Sequence, residues 1–157
     1  MPRLHSPIGS NSIRDFTERE PKIVTDGETL SIGTRKLHFI LTPYVHAWDS
    51  LLVYEETQSV LYSSDLFIQS GNDKPVTDED LSERMVELYR RAGVMPSMKH
   101  IHSALDKMEG LDIRTIACHH GSVLTGDLSP YFGILREQDV TALADYSIYS
   151  SANLMRE

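Results

Sequence analysis

Three short apolar runs in this chain each end on a side chain that water or a metal ion would claim. LHFILTPYVH closes on His46, SVLYSSD on Asp65, and IRTIACHHG on His119 and His120. Each run is rich in leucine, β-branched and aromatic residues and reads as a buried strand. Strands packed in one sheet would bring these exits to a common rim, where neutral imidazoles and a carboxylate surround a cation. Imidazole suits iron, zinc and copper, and a carboxylate can bridge two ions. Singly, each group reads otherwise: a lone histidine after a strand is ordinarily a hydrogen-bonded turn residue, and Asp is enriched in turns anyway. The joint placement carries the metal reading.

The surrounding text sets the order of elements. Residues 1–20 are rich in Pro, Ser, Gly and charge, and read as an irregular lead-in with at most a short helix near 13–16. From 21 to 65 the chain is strand-like. KIVTDGETLSIGTRKLHFILTP holds three β-prone runs split at Asp26-Gly27 and Gly33-Thr34, both good hairpin turns, and LLVYEETQSVLYSSD reads as a further hairpin turning at 55–58. Helical spacing follows. Thr77 and Asp80 form a weak capping box, Leu81, Met85, Leu88, Tyr89 and Ala92 recur at helical spacing, and Gly93 closes the element. A second helix is expected over 97–109, with Ile101, Leu105 and Met108 inward and Gly110 as its stop. DIRTIACHHG is one further strand, and Ser129-Pro130 opens the C-terminal helices. Strands first, then helices with one strand among them, place the chain in the α/β class with α+β layering: a mixed sheet with flanking helices, in one domain over 21–157.

Composition excludes several function classes. A chain of 157 residues builds one core. Fifteen basic against 23 acidic side chains give a net charge of −8, which argues against nucleic acid or an anionic membrane as partner. The single cysteine, Cys118, rules out an internal disulfide framework and suits a reducing compartment. No apolar run approaches the roughly 18 residues of a membrane span, and the first residues lack a signal-peptide core, so the expected location is cytoplasmic. There is no glycine-rich phosphate loop and no Gly-x-Ser-x-Gly elbow. Cys118 is expected as inert core, and His100 and His102, two apart on a helix, as surface or packing residues. Trp48 lines the mouth of a site or caps the core; both readings stand. NDKPVTDEDLSER reads as a solvated loop and helix start, and Tyr146 and Tyr149 as packing residues of a last helix.

The passage from DGETLSIGTRKLHFILTPYVHAWDSLLVYEETQSVLYSSDLF to IACHHGSVL resembles the metallo-β-lactamase fold, and within it the di-iron domain of flavodiiron proteins and their oxygen-binding relatives. In that family a ligand histidine follows a strand and precedes Trp-Pro-Asp-Ser, a bridging Asp sits in a Ser-Asp-x-Phe setting, and a last ligand histidine precedes glycine. Here His46 and Asp65 are 19 apart and Asp65 and His120 are 55 apart, with Ser64-Asp65-Leu66-Phe67 and His120-Gly121 in place. The resemblance covers roughly residues 20–125. It implies His46, Asp65 and His120 as metal ligands, with Asp65 bridging two irons, and His119 turned to the opposite face. The implied chemistry is binding and reduction of O2 or NO, with electrons from a separate flavin-bearing partner, because the chain holds no flavodoxin-like segment.

Two departures bear on that implication. The family's upstream His-x-His/Glu-x-Asp-His run is absent, and HIHSALD at 100–106 has the wrong spacing and place. Ile68 and Ser70 stand where the family carries glycine and histidine, and HAWDS replaces His-Trp-Pro-Asp-Ser. The chain thus reads as half of an αββα sandwich, which predicts self-association or pairing with a chain that supplies the other half. Two rival readings follow: a zinc hydrolase of the same superfamily using the same three residues, and a non-catalytic half-domain acting through assembly.

Overall fold

The computed structural model describes residues 4–7, 20–71 and 74–141. Its main sheet has seven strands: β3 (Thr29–Ile32), β4 (Arg35–Leu41), β5 (Leu51–Glu55), β6 (Val60–Ser64), β7 (Val76–Thr77), β8 (Thr115–Cys118) and β9 (Val123–Leu124), in the spatial order β3-β4-β5-β6-β8-β9-β7. A separate parallel pair joins β1 (Leu4–His5) to β2 (Lys22–Ile23), so part of the stretch read as an irregular lead-in is paired. Three helices complete the described chain: α1 (Ser82–Ala92), α2 (Met98–Met108) and α3 (Ser129–Glu137).

β3 to β6 form an antiparallel meander, and β8 then lies parallel to β6. A parallel return needs a long crossover, and the segment carrying α1 and α2 supplies it. Gly33 makes the β3–β4 turn at φ 63°. At the next hairpin, Glu55 accepts the Thr57 and Gln58 amides and pairs with Arg35 at 3.1 Å. The Asp26-Gly27 turn does not make a hairpin. β2 pairs with β1, while the Gly27 amide donates to the Phe39 carbonyl and Asp26 Oδ1 accepts from the Leu41 amide, folding the turn back on β4.

One row of the sheet faces the helices. Ile40 pairs with Leu52, Tyr54 with Leu61, and Leu61 with Ile116, and all are buried with Met85, Tyr89, Ile101, Leu105, Tyr131 and Leu135 of the helices. Each leucine or isoleucine so buried is worth about 1.5–3 kcal/mol. Tyr62, directly opposite Val53, points the other way and stands half exposed.

The helix boundaries follow local chemistry, with two corrections. Gly93 closes α1 in the left-handed region as expected, and Ser97 caps α2 by accepting the Lys99 amide. Thr77, however, lies in β7, and Asp80 accepts the Ser82 amide, so no capping box forms. Asp127, two residues before the expected cap Ser129, accepts the Ser129 amide at the start of α3. The residues expected in a last helix, Tyr146 and Tyr149, lie outside the described residues.

Candidate metal centre

Asp65 stands where β6 ends. The β6–β8 register shifts between Tyr62 and Ser64, a bulge of the kind that re-aims the side chains beyond it. Ser64 (φ 52°) and Phe67 (φ 69°) flank the turn in the left-handed region, a conformation that costs a non-glycine residue about 1–3 kcal/mol and persists only where the surroundings enforce it. The surroundings are identifiable. Ser63 Oγ donates to the Leu66 carbonyl at 2.6 Å, and Leu66 and Phe67 are fully buried. The Tyr89 hydroxyl accepts the Phe67 amide at 2.7 Å and donates to the Asp65 carbonyl at 3.2 Å. Burial pushes the Tyr89 phenol far above its ordinary range, so it stays protonated and keeps donating.

His119 and His120 follow β8, the strand beside β6. The His119 amide donates to the Ser64 carbonyl at 2.9 Å, tying the two exits together. His119 Nδ1 lies 3.3 Å from Asp65 Oδ1 and His120 Nε2 lies 4.0 Å from the same oxygen, the two rings nearly perpendicular. The expectation that His119 turns to the opposite face does not hold. Strand alternation ends at Cys118, and the chain bends through 119–121, so both rings reach the Asp65 side. The Cys118 thiol donates to the His120 carbonyl at 3.2 Å, and burial pushes its pKa up.

His46 belongs to the β4–β5 connection. Val45, fully buried, anchors that loop, and the Val45–His46 peptide is cis. His46 Nδ1 lies 2.6 Å from the Val94 carbonyl, between α1 and α2. A carbonyl only accepts, so Nδ1 carries the proton and a neutral ring keeps its free lone pair on Nε2. The Tyr44 ring packs against His100 at 5.0 Å, and His102 Nε2 contacts the Leu135 carbonyl, in keeping with both as surface or packing histidines. Trp48 is exposed and does not cap the core.

The structure therefore brings Asp65, His119 and His120 to one rim, while His46 is held by Val94. The rim opens on a depression of about 630 Å³ lined by Ile68, Gln69, Ser70, Leu88 and both histidines. Imidazole and carboxylate are the right donor types for iron or zinc, and two donors 4.0 Å apart stand at the limit of what one ion with bonds of about 2.0–2.2 Å can span. The number of donors does not suit two irons: among the described residues no group of three His, Cys, Asp or Glu is placed to hold an ion. Gln69 and Tyr89, which brace the rim, were not expected from the sequence. The one available signal for Gln69 was a lone amide closing the apolar run Leu66-Phe67-Ile68.

The mixed sheet, with helices on one face and ligand-type side chains at adjacent strand exits, is of the metallo-β-lactamase type. Residues 12–121 match the family model described as ODP family beta lactamase, and the chain belongs to that family. It is 32% identical over 126 residues to the type A flavoprotein fprA of Rhodobacter capsulatus, covering 76% of this chain and 29% of that protein. It is 28% identical over 131 residues to the flavo-diiron protein FprA2 of Clostridium acetobutylicum, covering 78% and 33%. In fold it is similar to the rubredoxin oxygen:oxidoreductase of Desulfovibrio gigas, with TM-score 0.74 and 24% identity over 86% of this chain and 37% of that one. The flavodiiron protein of Giardia intestinalis matches equally, with TM-score 0.74 over 85% and 34%. The chain thus spans a third or less of the length of these curated relatives. Among the described residues no helix is long and apolar enough to cross a membrane.

Proposed function

We propose that this chain contributes Asp65, His120 and His46 to a non-haem iron centre of the flavodiiron kind, which acts in O2 or NO reduction. The observation that carries the reading is the Asp65 carboxylate set between the His119 and His120 rings at two adjacent strand exits, in a chain related to flavo-diiron proteins. Iron, when bound, would relay electrons to a small gas. The chain's own residues orient and shield. Val94 fixes the His46 tautomer, Tyr89 holds the Asp65 turn, and Ile68 and Leu88 give the depression an apolar side. Among the described residues the donors do not complete a two-iron set, so the remaining ligands lie outside those residues, and pairing with a second copy or a complementary chain is one way to bring them in. Electrons come from a flavin-bearing partner in the reducing cytoplasm.

Anaerobic purification without chelators, followed by metal analysis and absorbance on exposure to air, tests this. Iron with a ferric charge-transfer band supports it. Near-stoichiometric zinc without that band replaces it with the hydrolytic reading, and a metal-free protein that pairs stably replaces it with a role in assembly.

A further inference from the structure

Gln69 has no place in the metal chemistry, yet it is 1% exposed and engages both loops of the rim. Its Nε2 donates to the Phe67 carbonyl at 2.8 Å and lies 3.4 Å from both the Ser122 carbonyl and Cys118 Sγ. Its Oε1 accepts the Ser122 amide at 2.9 Å, and its own amide reaches the His120 carbonyl at 3.4 Å. Phe67 belongs to the turn that carries Asp65, and Ser122 to the turn that carries His119 and His120. A buried primary amide with both ends occupied is a rigid bracket, since leaving either end without a partner costs the full desolvation of that group.

Gly121 completes the fit. Its φ is 92°, and a Cβ built there would lie 2.2 Å from Gln69 Oε1 and 2.7 Å from the Gln69 carbonyl. The glycine after His120 is thus required by the close approach of Gln69 as well as by its backbone angle. The remaining backbone link between the loops, His119 amide to Ser64 carbonyl, fixes the strand ends but not the turn beyond them.

We infer that Gln69 is a positioning residue that sets the His119–His120 turn against the Asp65 carboxylate, and that the Gln69–Gly121 contact fixes their separation. The inference deepens the proposed function, resting on the reading that Asp65 and His120 take one ion together.

The test uses the full chain with Gln69→Leu, Gln69→Glu and, as a core control away from the rim, Ile101→Val. Two quantities are measured: exchange of the Ser122 amide by NMR, and Co²⁺ affinity by visible absorbance. Gln69→Leu, with β5 and β6 amides protected as in the unaltered chain, is expected to speed Ser122 exchange and to weaken Co²⁺ binding by roughly tenfold or more, the usual effect of losing an outer-sphere support. Gln69→Glu keeps the acceptor for Ser122 and loses the donors, so it retains slow exchange and an intermediate affinity; it also serves should the leucine variant not fold. Ile101→Val changes neither quantity. Unchanged Ser122 exchange and unchanged affinity in a folded Gln69→Leu protein overturn the inference, as does an equal loss in Ile101→Val. If the unaltered chain binds no Co²⁺, the metal reading falls instead, and Ser122 exchange alone decides whether Gln69 sets the turn.

Discussion

The two halves of the candidate centre are held in different ways. The Asp65 and His119–His120 turns are braced from inside by Tyr89, Gln69, Ser63 and Gly121, all contacts made at or below the protein surface. The His46 loop is closed at its base by the buried Thr42–Ser50 hydroxyl pair and by backbone turn bonds, with Val45 buried beneath it. His46 itself meets the helices only through the exposed bond to Val94, beside the Tyr44–His100 contact. The difference teaches that the carboxylate and its neighbouring histidines form a preorganised unit, whereas His46 depends on the α1–α2 connection for its place. Polar networks satisfied in a low-dielectric setting rigidify their members, and exposed bonds compete with water.

The largest effect should fall on the preorganised side. Asp65→Ala is expected to weaken Co²⁺ binding by more than the roughly 10–100-fold typical of an outer partner, measured by titration. His46→Ala should also strip most of the metal, while His102→Ala leaves binding unchanged. Equal loss in all three would show that general destabilisation, not ligation, is being read.

Next comes the brace itself. Tyr89→Phe leaves the buried Phe67 amide without its acceptor and should cost about 1–3 kcal/mol in denaturant unfolding. His46→Ala, at an exposed position, should cost within about 0.5 kcal/mol. Comparable losses in the two variants would erase the contrast between the halves. Gly121→Ala, whose Cβ meets Gln69, should cost more than about 1 kcal/mol, because alanine does not tolerate that φ.

Much of this architecture could be read from residue patterns, and the failures have physical causes. The meander β3–β6 follows from alternation punctuated by Gly33 and the 55–58 turn, and α1 and α2 follow from spacing with Gly93 and Ser97 at their ends. β7 and β9 are two residues long, too short to carry a period. Asp26-Gly27 has hairpin chemistry, but its amide and carboxylate satisfy β4 instead, a long-range preference with no local mark. Asp65 and His120 come together as the strand exits required. His119 does not turn to the opposite face because strand alternation ends at Cys118, where the chain bends. Gln69 carries no periodic signal, since a buried amide is chosen by the loops on either side of it.

The smallest effect lies at the far end of the β5–β6 hairpin. Burial pushes the Glu55 carboxyl up, but bonds from Thr57 and Gln58 and the Arg35 pair together hold it below its ordinary value. A group whose folded pKa lies below the unfolded one stabilises above the unfolded pKa and loses that contribution as pH falls through the folded one. Stability should therefore decline as pH drops below the ordinary carboxylate value of 4.5, and Glu55→Gln should flatten that acid limb without altering metal affinity.

The central claim, that Asp65 and His120 act on one ion, is tested most directly by a double-mutant cycle on Co²⁺ affinity with Asp65→Ala, His120→Ala and the pair. A shared ion predicts that the double variant binds scarcely worse than either single one, giving a large coupling between the two sites. Losses that simply add, or a His120→Ala protein that binds as the unaltered chain does, would contradict it.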